Sequence, residues 1–332
     1  SNNTIDDTIF NNILSNYKFY TPRLRDVDSG NHPQHKIQQV CREFVNTNPE
    51  FCMSTPSITL LETGELAANV RYVNYKINEK GEYLNKDQII SKNVVYVLDN
   101  ANYNVRTSFD IQHDDQYDGL YVGLEDIKLL NNFGELTYIC NRGVQSNKIQ
   151  VEYGSIGASG VCSSRLLDLE NQKTIEKNWV LFHNKKEDAL QFVYNWCPLQ
   201  IGNFLDNIET DDSRTYNTVI SKTHATPRLF QRIRGSTNGV LIDNELWFVC
   251  HLVNYENKRH YYHIFVVLDP DNDYKLKRYS KLFTFDKQPV EYTTGFVYDA
   301  KKNSFLIGYS TNDCTTNFVD ISKENVNNLF IG

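Results

Sequence analysis

Four short segments of this 332-residue chain hold the residue types that could do chemistry. In Gly123-Leu124-Glu125-Asp126 two carboxyls stand side by side, the group that gives or takes a proton at a reacting oxygen. Adjacent side chains of a regular strand point to opposite faces, so one of the pair is expected to enter a pocket and the other to make structural hydrogen bonds. Glu176-Lys177-Asn178-Trp179 joins a cation and an amide to a large ring; it reads either as part of a site or as a solvated charge pair beside a core tryptophan. Arg232-Ile233-Arg234, ahead of a glycine-bounded turn, sets two arginines on one strand face, which suits an anion such as phosphate or a plain basic surface strand. Trp247 and His251 follow, and Tyr309-Ser310-Thr311-Asn312-Asp313 ends a strand in a polar turn that Asx geometry alone explains.

Other chemistries are disfavoured. Asp269-Pro270-Asp271 imitates a metal-binding D-x-D, but no βα alternation surrounds it and a Pro/Asp turn after an outer strand explains it. His260 and His263 fall on opposite faces of a strand, so they cannot share one ion, and neither a metal nor a cofactor is expected. No nucleophile elbow, P-loop or dinucleotide fingerprint occurs. A net charge of −7 argues against a basic stripe for a nucleic-acid backbone. No apolar run is long enough to span a bilayer, and the chain opens on no leader-like segment. The seven scattered cysteines read as reduced thiols, and the one N-x-S/T sequon is at Asn2, so a soluble cytoplasmic protein is the expectation.

The elements that must position these residues are strands. Tyr, Phe and Trp number 21, 18 and 3, and such rings suit a pleated, half-buried surface. Residues 1–50 differ: Asp6 to Leu14 and Lys36 to Asn46 carry helical spacing, with Pro22, Gly30 and Pro33 marking loop between them. This predicts a short, partly helical extension packed on the main body. From Ser54 onward a polar signature, a strand, a Gly/Asn/Asp turn and a second aromatic strand recur, starting near Pro56, Glu125, Lys177, Ser236 and Thr294. Five such four-stranded units predict an all-β five-bladed β-propeller over residues 51–332, a single ring with only short protected edges. A β-sandwich is the alternative, but it would not require the signature to recur. In a ring the innermost strands face the axis, so the signatures converge on one axial pocket.

In this order the signatures resemble the five-bladed propellers of carbohydrate-active enzymes, most closely glycoside hydrolase family 130 and the related β-mannosyltransferases of glycosyltransferase family 108. Gly123-Leu124-Glu125-Asp126 is similar to the G-x-E-D-P-R segment, with Ile127-Lys128 in place of Pro-Arg. The resemblance implies that Asp126 is the proton donor, with Glu125 beside it as a substrate contact. Pro56-Ser57 through Arg71-Tyr72 resembles the first-blade segment whose arginine contacts the sugar, which implies that role for Arg71; Thr55 stands where the family has asparagine. Lys177-Asn178 is similar to the phosphate-binding pair of the phosphorylase members, and His251 to the histidine of G-W-L-x-x-Y-H. Tyr309 to Asp313 resembles the closing Y-G-x-x-D, which implies that Asp313 grips the sugar ring.

Single displacement at a glycosidic bond needs an acid or base at the departing or arriving oxygen and a nucleophile on the opposite ring face. A hydrolase uses a second carboxylate to activate water, whereas a phosphorylase or a transferase with an activated donor holds phosphate with cations. Lys177, Arg234 and His251 offer such cations, and Trp179 and Trp247 could stack on a sugar, although core packing suits either ring. The expectation is an inverting enzyme that moves a hexosyl unit, mannose among the choices, with a carbohydrate and a sugar nucleotide or sugar phosphate as partners. A glycoside hydrolase and a silent sugar-binding propeller are the alternatives; no feature of the sequence selects the linkage or the assembly state.

Overall fold

The structure is a computed structural model that describes residues 7–330 other than 79–81, 85–86, 114–118, 146, 206–213 and 256–257. The aromatic and β-branched runs after residue 50 form strands grouped as five blades in chain order. Blade one holds β1 (Cys52–Leu60), β2 (Leu66–Val73), β3 (Ile89–Leu98) and β4 (Val105–Asp110), with the short β5 (Tyr121–Val122) parallel to β3. Blade two holds β6 (Glu125–Asn132), β7 (Glu135–Gln145), β8 (Lys148–Ile156) and β9 (Cys162–Leu169), and blade three β10 (Val180–Asn184), β11 (Ala189–Trp196), β12 (Leu199–Phe204) and β13 (Thr215–His224). Blade four is built from β14 (Arg234–Gly235), β15 (Val240–Ile242), β16 (Glu245–Asn254), β17 (His260–Asp269) and β18 (Lys275–Tyr279), and blade five from β19 (Tyr292–Asp299), β20 (Ser304–Ser310) and β21 (Asn317–Ser322).

Three details depart from five uniform antiparallel sheets. The outer strands β9 and β13 pair in parallel, joining blades two and three at their rim. The inner strand of blade four is split into β14 and β15, both paired with β16, and Asn238 lies in the gap between them. Blade five has three strands among the described residues; after β21, Ser322 Oγ accepts from Asn325 N–H and the chain turns into α3 (Lys323–Asn327).

The ring is tied at its axis by side chains that bond to neighbouring blades. Asn238 donates to the carbonyls of Lys128 and Leu129 (3.1 and 3.0 Å) and accepts from Leu181 N–H (2.8 Å), so one residue of blade four holds blades two and three. Ser57 donates to Thr294 O (3.1 Å) and accepts from Leu129 N–H (3.0 Å), linking blade one to blades five and two. Closure between the last blade and the first is close enough to need glycine: a Cβ on Gly295 would stand 2.6 Å from Ile58 N. Most aromatic rings pack within and between blades, as with Phe182 and Trp196 edge-on to Phe248, and Trp247 against Phe265 and Phe305.

The N-terminal segment forms α1 (Asp7–Tyr17) and α2 (Gln34–Thr47), joined by a 3₁₀ turn at Leu24–Val27. Leu14, Leu24, Ile37 and Cys41 are buried in three different hydrophobic clusters of the ring. Among the described residues no helix is long and apolar enough to cross a membrane.

Removing the axial amide takes away three hydrogen bonds between buried groups of three blades. Asn238→Ala is therefore expected to lower the free energy of unfolding by about 2–3 kcal/mol, measured by urea denaturation. A loss below about 0.5 kcal/mol would contradict the view that these bonds hold the blades.

Candidate functional site

At the end of the ring where the innermost strands begin, a cavity of about 170 Å³ opens on the axis. That is small against the roughly 300–1,000 Å³ of drug-sized pockets, and suits one sugar unit better than a chain of them. Its walls include Arg71, Glu125, Asp126, Lys177, Asn178, His251 and Asp313. Seven residues from five blades, scattered over 243 positions of sequence (Arg71 to Asp313), thus reach one place. Not all come from innermost strands: Arg71 and His251 lie on the second strands β2 and β16, and Asp313 follows β20, the second strand of blade five.

The carboxyl pair behaves differently from a regular strand. Between Glu125, opposite Asn141, and Lys128, opposite Ile139, strand β6 carries one extra residue, and Asp126 takes a left-handed φ of 54°. This bulge breaks the alternation, so both Glu125 and Asp126 face the cavity and the expectation that only one would do so is corrected. Asn178 (φ 66°), Val290 (φ 51°) and Asp313 (φ 51°), all on the cavity wall, are left-handed too. Such a conformation is strained for a β-branched valine, and strain of this kind concentrates where function needs a fixed geometry.

Arg71 is the hub. Its guanidinium lies 3.3 Å from Asp126 Oδ1 and 3.7 Å from Glu125 Oε1, and donates to Ser91 Oγ (2.9 Å) and Tyr75 OH (3.3 Å). Tyr75 OH in turn donates to Asp313 Oδ2 (3.2 Å), so the third carboxyl joins the same network. Asn141 donates to Asp126 Oδ2 (3.2 Å) and accepts from Asn178 N–H, and Tyr292 OH donates to Asn178 Oδ1 (3.2 Å). Burial pushes the Glu125 carboxyl up to about 7, with Arg71 opposing and Asp126 reinforcing the shift. Asp313 is raised in the same way, again chiefly by burial and against Arg71. Arg71 itself is held protonated by Tyr75, Asp126 and Glu125, which overcome the opposing effect of its burial.

The expected cationic cluster is thinner than its sequence signature. His251 is buried, and burial, with His263, Lys128 and Lys177 nearby, drives its pKa well below the ordinary imidazole value, so it stands as a neutral ring bonded through Nδ1 to Ser236 Oγ (2.7 Å). Arg234 is exposed and does not line the cavity: although it stands opposite His251 in the ladder, its guanidinium folds back to bond the carbonyls of Gln231 and Ile233 (2.9 Å each). Lys177 stays, at the exposed edge of the wall.

Trp179 is also displaced from the part expected of it. It stacks on Phe192 (4.9 Å, 7°) in a hydrophobic cluster of blades two and three, and its indole N–H donates to Glu176 Oε2 (3.2 Å). Trp247 is likewise core, with the Arg278 guanidinium over its ring. The aromatic wall is instead tyrosine: Tyr75, Tyr83, Tyr121, Tyr261 and Tyr292, with Arg259 as a further cation. Tyr292 lies in the Glu291-to-Gly295 segment that resembles the family's last blade; Tyr75, Tyr83, Tyr121, Tyr261, Arg259 and Asn141 carry no motif, and for the tyrosines the only hint in the sequence is their count of 21. No residue of the N-terminal extension lines the cavity, so among the described residues that segment does not cover it.

Comparison with known proteins agrees with the fold. A β-1,2-mannobiose phosphorylase from Listeria innocua, solved with β-1,2-mannobiose, superposes with a TM-score of 0.53 at 11% identity, over 84% of this chain and 93% of that one. A mannose phosphorylase from Leishmania mexicana, solved with phosphate ion, gives 0.53 at 13% identity, over 90% and 97%. A family 43 β-xylosidase/α-arabinofuranosidase from a compost metagenome gives 0.54 at 8% identity, over 81% and 91%. No protein-family model matches the chain, and no curated protein matches it in sequence. The chain therefore has the five-bladed propeller fold found in carbohydrate-active phosphorylases and hydrolases.

Because Glu125 titrates near 7 in the fold and at about 4.5 when unfolded, the folded state binds its proton more tightly. Its contribution is fully present below pH 4.5 and is lost as the pH rises through 7. Unfolding measured from pH 4.5 to 8 is expected to show stability falling with pH more steeply in the wild type than in Glu125→Gln. Parallel profiles would show that burial does not hold this carboxyl protonated.

Proposed function

We propose that the protein is an inverting glycosyl-transferring enzyme of the phosphorylase type, moving a hexosyl unit between a glycosidic oxygen and a phosphate group. The observation that carries the reading is the arrangement around Arg71, which ties Glu125, Asp126 and, through Tyr75, Asp313 into one cavity the size of a single sugar. In the breakdown direction a phosphate oxygen held by Lys177 and Asn178 forms a bond to the anomeric carbon on the face opposite the departing oxygen. The C–O bond breaks with its electron pair on that oxygen, which takes the proton of Asp126, leaving a sugar 1-phosphate of inverted configuration. In the synthetic direction phosphate departs and the acceptor hydroxyl gives its proton to the Asp126 carboxylate; a sugar nucleotide would lose its diphosphate by the same path. Arg71 and Asp313 hold the sugar hydroxyls, and neutral His251 bonds to the phosphate without adding charge. The similarity to two phosphorylase structures supports mannose as the first sugar to try. The ring over residues 51–332 is the catalytic unit in this reading, and seven free cysteines support a cytoplasmic location.

A hydrolase reading has one observation on its side: Asp313 supplies a third carboxyl that could activate water in place of phosphate. Incubation with manno-oligosaccharides, sugar 1-phosphates and sugar nucleotides, with and without phosphate, separates the cases. The proposal expects phosphate-dependent release of a sugar 1-phosphate, or its reverse with an acceptor; free sugar released without phosphate supports the hydrolase, and binding without reaction a silent propeller. Asp126→Asn is expected to lower kcat by about 10²–10⁴-fold. Lys177→Met is expected to raise the KM for phosphate by about tenfold or more, the worth of one charge-assisted bond, and an unchanged value would remove Lys177 from the site.

A further inference from the structure

Directly beneath the carboxyl pair lies a buried lysine that the proposed reaction does not use. Lys128 is 1% exposed, and its ammonium donates to the backbone carbonyl of Asp126 (3.3 Å). Its own backbone carbonyl accepts from Asn238 at the ring axis (3.1 Å), so the base of the side chain is anchored where the blades meet. A lysine is almost never wholly buried without a task, because its charge loses solvation. Burial does lower its pKa, against the pull of Asp126. An apolar side chain would fill the same space at no such cost.

The bond falls at the bulge. Asp126 is the residue with φ 54° and sits inside the register break between Glu125 and Lys128, and its left-handed turn is what brings both carboxyls to one wall. Left-handed backbone is uphill for a residue with a side chain, and persists when the surroundings over-determine it. Two fixed points do so here: Arg71 and Asn141 hold the Asp126 carboxylate from above, and Lys128 holds its carbonyl from below.

We infer that Lys128 is a positioning residue, which pins the Asp126 carbonyl and so keeps the left-handed turn that presents the Glu125 and Asp126 carboxyls together in the cavity. Lys128 does not touch the sugar and acts through Asp126. The inference rests on the reading of Asp126 as the acid/base for its catalytic consequence, but not for its structural one.

The test compares wild type with Lys128→Met, which keeps the length and apolar stem of the side chain and removes the donor. Two readouts are taken. Amide hydrogen exchange at Asp126 and Ile127 is expected to rise at least tenfold while the rest of blade two keeps its protection; unchanged exchange in the folded variant overturns the inference whether or not the protein is an enzyme. In turnover, kcat is expected to fall at least tenfold with KM for the sugar within threefold of wild type. A loss confined to KM, or none, overturns the positioning role. If the wild type turns over no sugar, the functional reading fails while exchange still decides the inference. Should Lys128→Met not fold, Lys128→Gln retains a donor and is expected to keep protection at Asp126 within threefold of wild type; exchange as fast as in an unfolded chain there would overturn the assignment.

Discussion

Three carboxyls in one small cavity repel one another, and the site exists because one buried guanidinium is placed among them. Arg71 contacts Glu125 and Asp126 directly and reaches Asp313 through Tyr75, while Ser91 fixes its Nε. A charge taken from water is tolerable only when it is paired and hydrogen-bonded. Remove Arg71 and the three acids lose the positive charge that offsets their burial, so the arginine is what lets them stand together in one place. Glu125, 3.7 Å from the guanidinium, is pushed up to about 7 by burial, and Asp313 is raised in the same direction for the same reason.

Holding that arrangement requires a frame that does not give. The axial bonds from Asn238 and Ser57 fix the inner strands of neighbouring blades against each other. On that frame the chain adopts four left-handed residues around the cavity, at Asp126, Asn178, Val290 and Asp313. Each stands at or near the point where a strand begins or ends, which is where a propeller lets backbone depart from the pleat. The fold therefore supplies rigidity below and irregular, polar backbone above, the combination that a binding site on a ring needs.

The ring was legible because its signal is periodic: the five signatures near Pro56, Glu125, Lys177, Ser236 and Thr294 each start a blade or lie within its inner strand. Arg71, Asp126, Lys177, Asn178, His251 and Asp313 could be found in the sequence because they sit within or beside those recurring segments, and the structure brings them together. Strand alternation does not settle where every side chain goes. A one-residue bulge turns both Glu125 and Asp126 to one wall, and Arg234, although opposite His251 in the ladder, folds back onto the carbonyls of Gln231 and Ile233. Trp179 illustrates a different limit: a ring beside a polar signature looks the same in sequence whether it faces a ligand or, as here, Phe192. Tyr83 and Arg259 lie outside regular strands, where neither spacing nor periodicity marks a residue.

In the proposed reaction this axial cavity holds one hexose between the carboxyls, with an anion beside Lys177. The most direct measurement is a crystal structure of the protein soaked with mannose and inorganic phosphate. The sugar ring is expected between Asp126 and Asp313, in contact with Arg71, and phosphate within hydrogen-bond distance of Lys177 and Asn178. A cavity that stays empty of both at saturating concentrations, or a sugar bound only elsewhere on the ring, would contradict it.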